Sequence, residues 1–292
     1  MRAAAAAVGV LLIAGIDAFG VAAQSGDASA IVSQARQALG GDSRLAGVKT
    51  FIATGRTRQV RGDNLVPIEF EIQTELPDRY SRRDEFPAQD AGPATSGFNG
   101  SDLIQLPPPP APVARPGGPP PPSPEQQQAA LRSRVAAIKQ DFARLMLGLL
   151  VTTPSSFPVT FTYAGQAEAP QGKADVLDGS GPAGFAARLF IDSQTHLPIM
   201  VSWQQAAPPA RRGGPPPQPP AAAGAPGPSG ALPAAPPSVE HRLYFADFRD
   251  VDGVKWPFRL RHAVAGDTIE ETTVDRYRIN ARVDPRRFDT SR

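Results

Sequence analysis

The chain has 292 residues, with 34 prolines, 27 glycines and no cysteine. The missing cysteine excludes a disulfide scaffold, a cysteine–zinc site, an iron–sulfur cluster, a cysteine nucleophile and an acylated N-terminal cysteine. Lys and Arg number 30 against 28 Asp and Glu, a net charge of +2; no basic run reaches five, which argues against a nucleic-acid-binding stripe.

Chain order begins with Arg2 and the apolar run Ala3–Ile16, broken by Asp17 and followed by Val21-Ala22-Ala23. A positive start, a short apolar run and a small-residue exit predict a secretory signal over 1–23. A spanning helix would need about 20 apolar residues, so no integral span is expected after cleavage. The mature chain would start near Gln24 as an exported protein of a bacterial envelope, periplasmic or secreted.

Eleven prolines fall in 107–124 and twelve in 208–237. Proline has no N–H and cannot sit in a helix interior or a central strand. The two stretches read as inserts, 106–124 and 206–238, in a single domain over 24–292. They are surface loops or docking sites for a partner that reads polyproline.

Asp27 caps a short helix with Ile31, Ala35 and Leu39 on one face, stopped by Gly40-Gly41. Lys49–Val60 is a strand, and Arg61–Asn64 a turn. In Val66–Leu76, Ile68, Phe70, Ile72, Thr74 and Leu76 alternate with Glu69, Glu71, Gln73 and Glu75, a strand with one dry and one wet face. Ser123-Pro124-Glu125-Gln126 opens a helix of about 25 residues. Its apolar stripe is Leu131, Val135, Ile138, Phe142, Leu145 and Leu149; Arg132, Lys139, Gln140 and Arg144 are expected on the wet face. Further strands follow at 173–177, 185–192, 197–205, 240–249, 254–264 and 268–279. Leu197, Ile199, Val201 and Trp203 share one face of their strand. Hairpin follows hairpin, so the expected fold is α+β: a large antiparallel meander covered on one face by the two helices.

Motifs for chemistry are sparse. Gly179–Gly184 matches G-x-G-x-x-G but leads into a strand-like segment, not a helix, and reads as a hairpin loop. Asp250–Gly253 lacks the first and last ligands of a calcium loop and reads as a β-turn. His196, His241 and His262 lie on three separate segments with no metal-ligand spacing, and His262 reads as a half-buried structural histidine. With no catalytic constellation, metal site or cofactor motif, an enzyme is not expected. What remains is an aromatic and aliphatic inner face, including Phe51 and Ile68. It is either a filled core or the wall of an apolar cavity, lined by Phe70, Ile72, Phe161, Tyr163, Ile199, Val201, Trp203, Trp256, Phe258 and Leu260.

The order of elements resembles a family. It runs from the Gly-Gly-ended helix through Val48-Lys-Thr-Phe51, Leu76-Pro-Asp78 and Gly97-Phe-Asn-Gly100 to Leu147-Gly-Leu-Leu150. It continues through Phe190–Pro198, Asp247–Val254, Trp256-Pro257, Asn280 and Asp284–Phe288. This pattern, over roughly 28–288 minus the inserts, is similar to the outer-membrane lipoprotein-sorting (LolA/LolB-like) superfamily. The resemblance implies an unclosed, curved antiparallel half-barrel whose open side is covered by helices. It also implies a non-enzymatic carrier or chaperone binding a lipid or the acyl chain of a lipoprotein. The alternative is an envelope scaffold with a filled core, acting through its Pro-rich loops.

Overall fold

The structure is a computed structural model that describes residues 27–87, 92–108, 121–169, 172–206 and 238–290. The expected signal and most of both Pro-rich inserts lie outside the described residues.

The chain opens with α1 (Ala28–Leu39) and α2 (Asp42–Gly47). Five strands follow: β1 (Thr50–Arg61), β2 (Asn64–Glu75), β3 (Arg79–Glu85), β4 (Ala94–Asn99) and β5 (Asp102–Leu106). After α3 (Pro124–Leu150) come β6 (Thr160–Ala169), β7 (Gly172–Gly181), β8 (Phe185–Asp192) and β9 (Pro198–Ala206). The last three are β10 (Ser238–Val251), β11 (Val254–Val264) and β12 (Asp267–Ile279). All twelve join one antiparallel sheet, in the order β5-β4-β3-β2-β1-β12-β11-β10-β9-β8-β7-β6. Each strand pairs with its sequence neighbour, except that β1 pairs with β12 and β5 and β6 form the open edges. The expected unclosed half-barrel is therefore the fold. Bulges at Thr54/Gly55, Tyr163/Gly165, Phe190/Ile191 and His262/Ala263 interrupt the ladder. Each adds twist and bends its strand, which curls the sheet around α3.

Local chemistry sets the helix ends. Asp27 accepts a hydrogen bond from Ser29 N at 2.9 Å. Gly40, at φ 135°, ends α1 against the backbone of Gly253, where any Cβ would collide. The short helix α2 has no apolar period and was not expected from the pattern. In α3 the capping box is complete: Gln126 N donates to Ser123 Oγ at 3.3 Å, and Ser123 N to Gln126 Oε1 at 2.9 Å.

The curl of the sheet corrects the expected faces of α3. Leu131 is exposed, because burial begins only at Val135. Arg144, expected in water, is 7% exposed. Phe142–Arg144 and Met146–Leu150 are all buried. A helix inside a half-barrel is covered on more than one stripe, so its last turns have no wet face.

The wet face of β2 is also partly covered. The segment after β12 crosses it: Asp284 N donates to Gln73 Oε1 at 3.0 Å, Arg287 pairs with Glu71 at 3.0 Å, and Phe288 is buried. Gln73 is consequently buried, although alternation placed it in solvent.

Candidate functional site

Between α3 and the concave face of the sheet lies a cavity of about 410 Å³. Its walls come from α3, β1–β3 and β9–β12. Part of its lining is apolar: Phe51, Phe70, Ile72, Leu145, Leu149 and Val274. The lining also carries Arg82, Asp141, Arg144, His241, His262 and Glu270. The cavity is therefore amphipathic, within the usual size range for small-ligand sites.

Three of the polar side chains gather around one indole. Trp203 on β9 stacks on His241 of β10, with ring centres 5.1 Å apart, and on His262 of β11 at 5.5 Å. The Arg144 guanidinium lies 4.7 Å from the Trp203 ring, a cation–π contact. His241 Nδ1 and His262 Nε2 are 3.1 Å apart, sharing one hydrogen bond. Strand pairing brings them together. In the β10–β11 hairpin, His241 faces Val264 and Leu243 faces His262, so the histidines are diagonal neighbours on the concave face. Counting back from the Asp252-Gly253 turn would have revealed this pair in the sequence.

Other groups complete the electrostatics. Arg144 Nη1 donates to Asp141 at 2.6 Å and Nη2 to Gln140 at 3.3 Å, while Nε has no hydrogen-bond partner among the described residues. Burial lowers the Arg144 pKa against the opposing pull of Asp141. Arg82 is bound to Asp84 at 2.8 Å and sits over the Phe70 ring. Gln59 donates to Glu270 at 2.6 Å. Burial pushes the Tyr80 phenol up to about 12, so it is neutral. Among the described residues no three His, Asp or Glu side chains gather as metal ligands.

Of the ten side chains expected to line a cavity, Phe70, Ile72, Trp203 and Leu260 do so. Val201, Trp256 and Phe258 are packed into the solid core behind it. Phe161 and Tyr163 are half-buried on edge strand β6, away from the cavity wall. Ile199 does not share the cavity face with Trp203. The bulge at Phe190/Ile191 opposes Pro198–Met200 and turns it outward. There it lines a second depression of about 1020 Å³, with Phe190, Met200 and Tyr244. That depression is rimmed by the ion pairs Arg242–Glu240 at 2.6 Å and Lys173–Glu168 at 2.8 Å. Gly179–Gly184 ends β7 and enters β8 through a single 3-10 turn, which is not a phosphate-binding helix start.

No protein-family profile and no curated protein sequence matches the chain. Among solved structures, a LolA superfamily protein from Nitrosomonas europaea superposes with a TM-score of 0.50 at 11% identity, over 90% of this chain and 97% of that one. The fold is LolA-like. A DUF1329 family protein from Desulfovibrio piger (TM-score 0.46, 8% identity, 90% and 97% covered) also aligns. So does an outer membrane lipoprotein-sorting protein domain from Vibrio parahaemolyticus (0.45, 8%, 88% and 94%). In this LolA-like chain no helix among the described residues is long and apolar enough to cross a membrane.

The histidine pair gives the LolA-like domain a pH signature. Burial lowers the pKa of His241, as do His262 and Arg144, with Asp141 opposing. Burial also lowers that of His262, with Glu270 and Asp141 opposing. Both folded pKa values lie below the unfolded value of about 6.5. The neutral pair is thus fully stabilising above about pH 6.5, and stability is lost as pH falls through the folded values, because the unfolded chain binds more protons. Melting between pH 8 and 5 should show Tm falling by a few degrees below about pH 6.5. His262→Gln should flatten that fall. A wild-type curve that stays level would contradict the pairing.

Proposed function

We propose that this protein is a non-enzymatic carrier or chaperone of the bacterial cell envelope that holds an apolar ligand, a lipid or a lipoprotein acyl chain, in the cavity under α3. The observation that carries the reading is the cavity itself: a LolA-like half-barrel whose helix leaves about 410 Å³ unfilled against aromatic and aliphatic side chains. Burial of acyl methylenes, at about 0.8 kcal/mol each, is the driving term. A similar fold in a LolA superfamily protein supports the same reading. No covalent step is involved.

The two tryptophans make a built-in assay. Trp203 lines the cavity, whereas Trp256 is sealed in the core. Titration with dodecanoic acid should change the emission saturably, and Trp203→Phe should abolish most of the change. Native mass spectrometry of protein purified from a bacterial envelope should show a lipid-sized adduct. An adduct-free protein whose emission ignores acyl probes would end the carrier reading.

A further inference from the structure

The histidine pair leaves two ring nitrogens unused. His241 Nδ1 and His262 Nε2 share the 3.1 Å hydrogen bond, so the outer nitrogens are His241 Nε2 and His262 Nδ1. Neither has a hydrogen-bond partner among the described residues. Neither belongs to the unpaired side-chain atoms that are closed off from solvent, as Arg144 Nε does, so both stay open. Both rings line the cavity. A neutral imidazole carries one N–H and one bare nitrogen. One of the pair's two protons lies in the shared bond, so one outer nitrogen carries the other and the second is bare. Swapping both tautomers exchanges the roles and keeps the count. The pair therefore always offers one donor and one acceptor. The neutral Tyr80 hydroxyl is also unbonded, open and on the cavity lining.

Charge balance decides what kind of head these groups receive. Both arginines in the lining are matched, Arg144 by Asp141 at 2.6 Å and Arg82 by Asp84 at 2.8 Å. Glu270 adds a negative charge, held by the neutral Gln59 at 2.6 Å. No positive charge is left over for an anionic head. A carboxylate or a simple ester only accepts hydrogen bonds, so it would leave the bare nitrogen unpaired. A head with hydroxyls donates and accepts, and satisfies both nitrogens. Size limits the remainder: a dry cavity of ~150 Å³ takes benzene, six carbons. On that scale 410 Å³ takes roughly sixteen heavy atoms, one chain with a small head. Resting on the carrier reading above, we propose that the ligand is a single acyl chain on a neutral polyhydroxyl head, the chemistry of a monoacylglycerol. Its hydroxyls donate to the bare outer nitrogen of the His241–His262 pair and accept from the other.

The test compares 1-decanoylglycerol, methyl decanoate and decanoate at pH 7.5. The acyl chain is constant and only the head differs. Both histidines stack on Trp203, so Trp203 emission reads the binding, and native mass spectrometry counts the ligands. The hydrogen bond that only the glycerol ester completes should favour it about fivefold over methyl decanoate. It should also bind more tightly than decanoate, with one ligand per protein. Replacing both histidines, His241→Phe with His262→Phe, keeps rings against Trp203 and removes the nitrogens. It should bring the glycerol-to-methyl ratio towards one, with circular dichroism checking the fold. If methyl decanoate or decanoate binds wild-type protein as tightly as the glycerol ester, or the folded double variant keeps the preference, this proposal fails while the carrier reading stands. If none of the three binds, the carrier reading fails with it. The wild-type comparison decides even where the variant does not fold.

Discussion

Gly148→Leu should cost about 3 kcal/mol or more of stability, making it among the most damaging single changes in α3. Gly148 lies where the helix meets β10, and a Cβ placed on it would fall within the ring of Phe245. That ring is 3% exposed and cannot step aside without disturbing the core. Leucine gains up to about 1 kcal/mol of helix propensity over glycine, too little to offset overpacking by a whole side chain. Urea denaturation should show a lower midpoint at unchanged slope. The pair is coupled: combining Gly148→Leu with Phe245→Ala should cost at least about 1 kcal/mol less than the two changes summed. Strict additivity would mean that α3 does not sit on Phe245. Because α3 roofs the cavity, Gly148→Leu should also weaken binding of an acyl probe.

Trp256→Ala is expected to remove about 3–5 kcal/mol. Its ring is fully buried, 5.2 Å from Phe51 and 4.7 Å from Tyr277. Those two partners line the cavity, and Trp256 is the wall behind them. Deleting it leaves Phe51 and Tyr277 unsupported on one side, although Tyr277 keeps its 2.8 Å hydrogen bond to Pro257 O. Trp256→Phe should be much milder. It retains most of the contact and removes an indole N–H that is buried without a partner among the described residues. Thermal melts of the three proteins should therefore rank wild type close to Trp256→Phe and far above Trp256→Ala. A near-neutral alanine variant would show that the space behind Phe51 and Tyr277 closes on its own.

Local features of the fold were legible in the sequence. Alternation in β2 and β11, the turns at Asp250–Gly253 and Asp192–Pro198, and the Ser123–Gln126 cap each depend on neighbours within a few residues. The antiparallel meander followed from the run of hairpins, and the half-barrel from the family likeness. What did not show was any property set by curvature. Arg144 reads as a surface residue on a helical wheel and is buried only because the sheet wraps the helix. Ile199 reads as an inner residue and is turned out by a bulge that has no composition signal. The His241–His262 contact was available from hairpin register, but the histidines lie 21 positions apart and look unrelated along the chain. Trp256 and Val201 illustrate a further limit, since alternation assigns a residue to a face without saying whether that face meets a void or another side chain.

The β1–β12 seam has a kinetic consequence. The strands nearest the two ends of the domain meet in the middle of the sheet, where Thr50 Oγ1 donates to Ala281 O, 231 positions away, at 2.7 Å. Every other strand pairing is a hairpin or follows a short connection, apart from β9–β10 across the second insert. Contacts so distant in sequence slow folding, because a long loop must close before they form. The β1–β5 hairpin ladder can assemble while the remainder of the chain is still emerging. The concave wall that joins Phe51 to Tyr277 and Trp256 cannot exist until the last strand is in place. A chain truncated before β12 is thus left with two half-sheets, each with a raw central edge open to pairing with other chains.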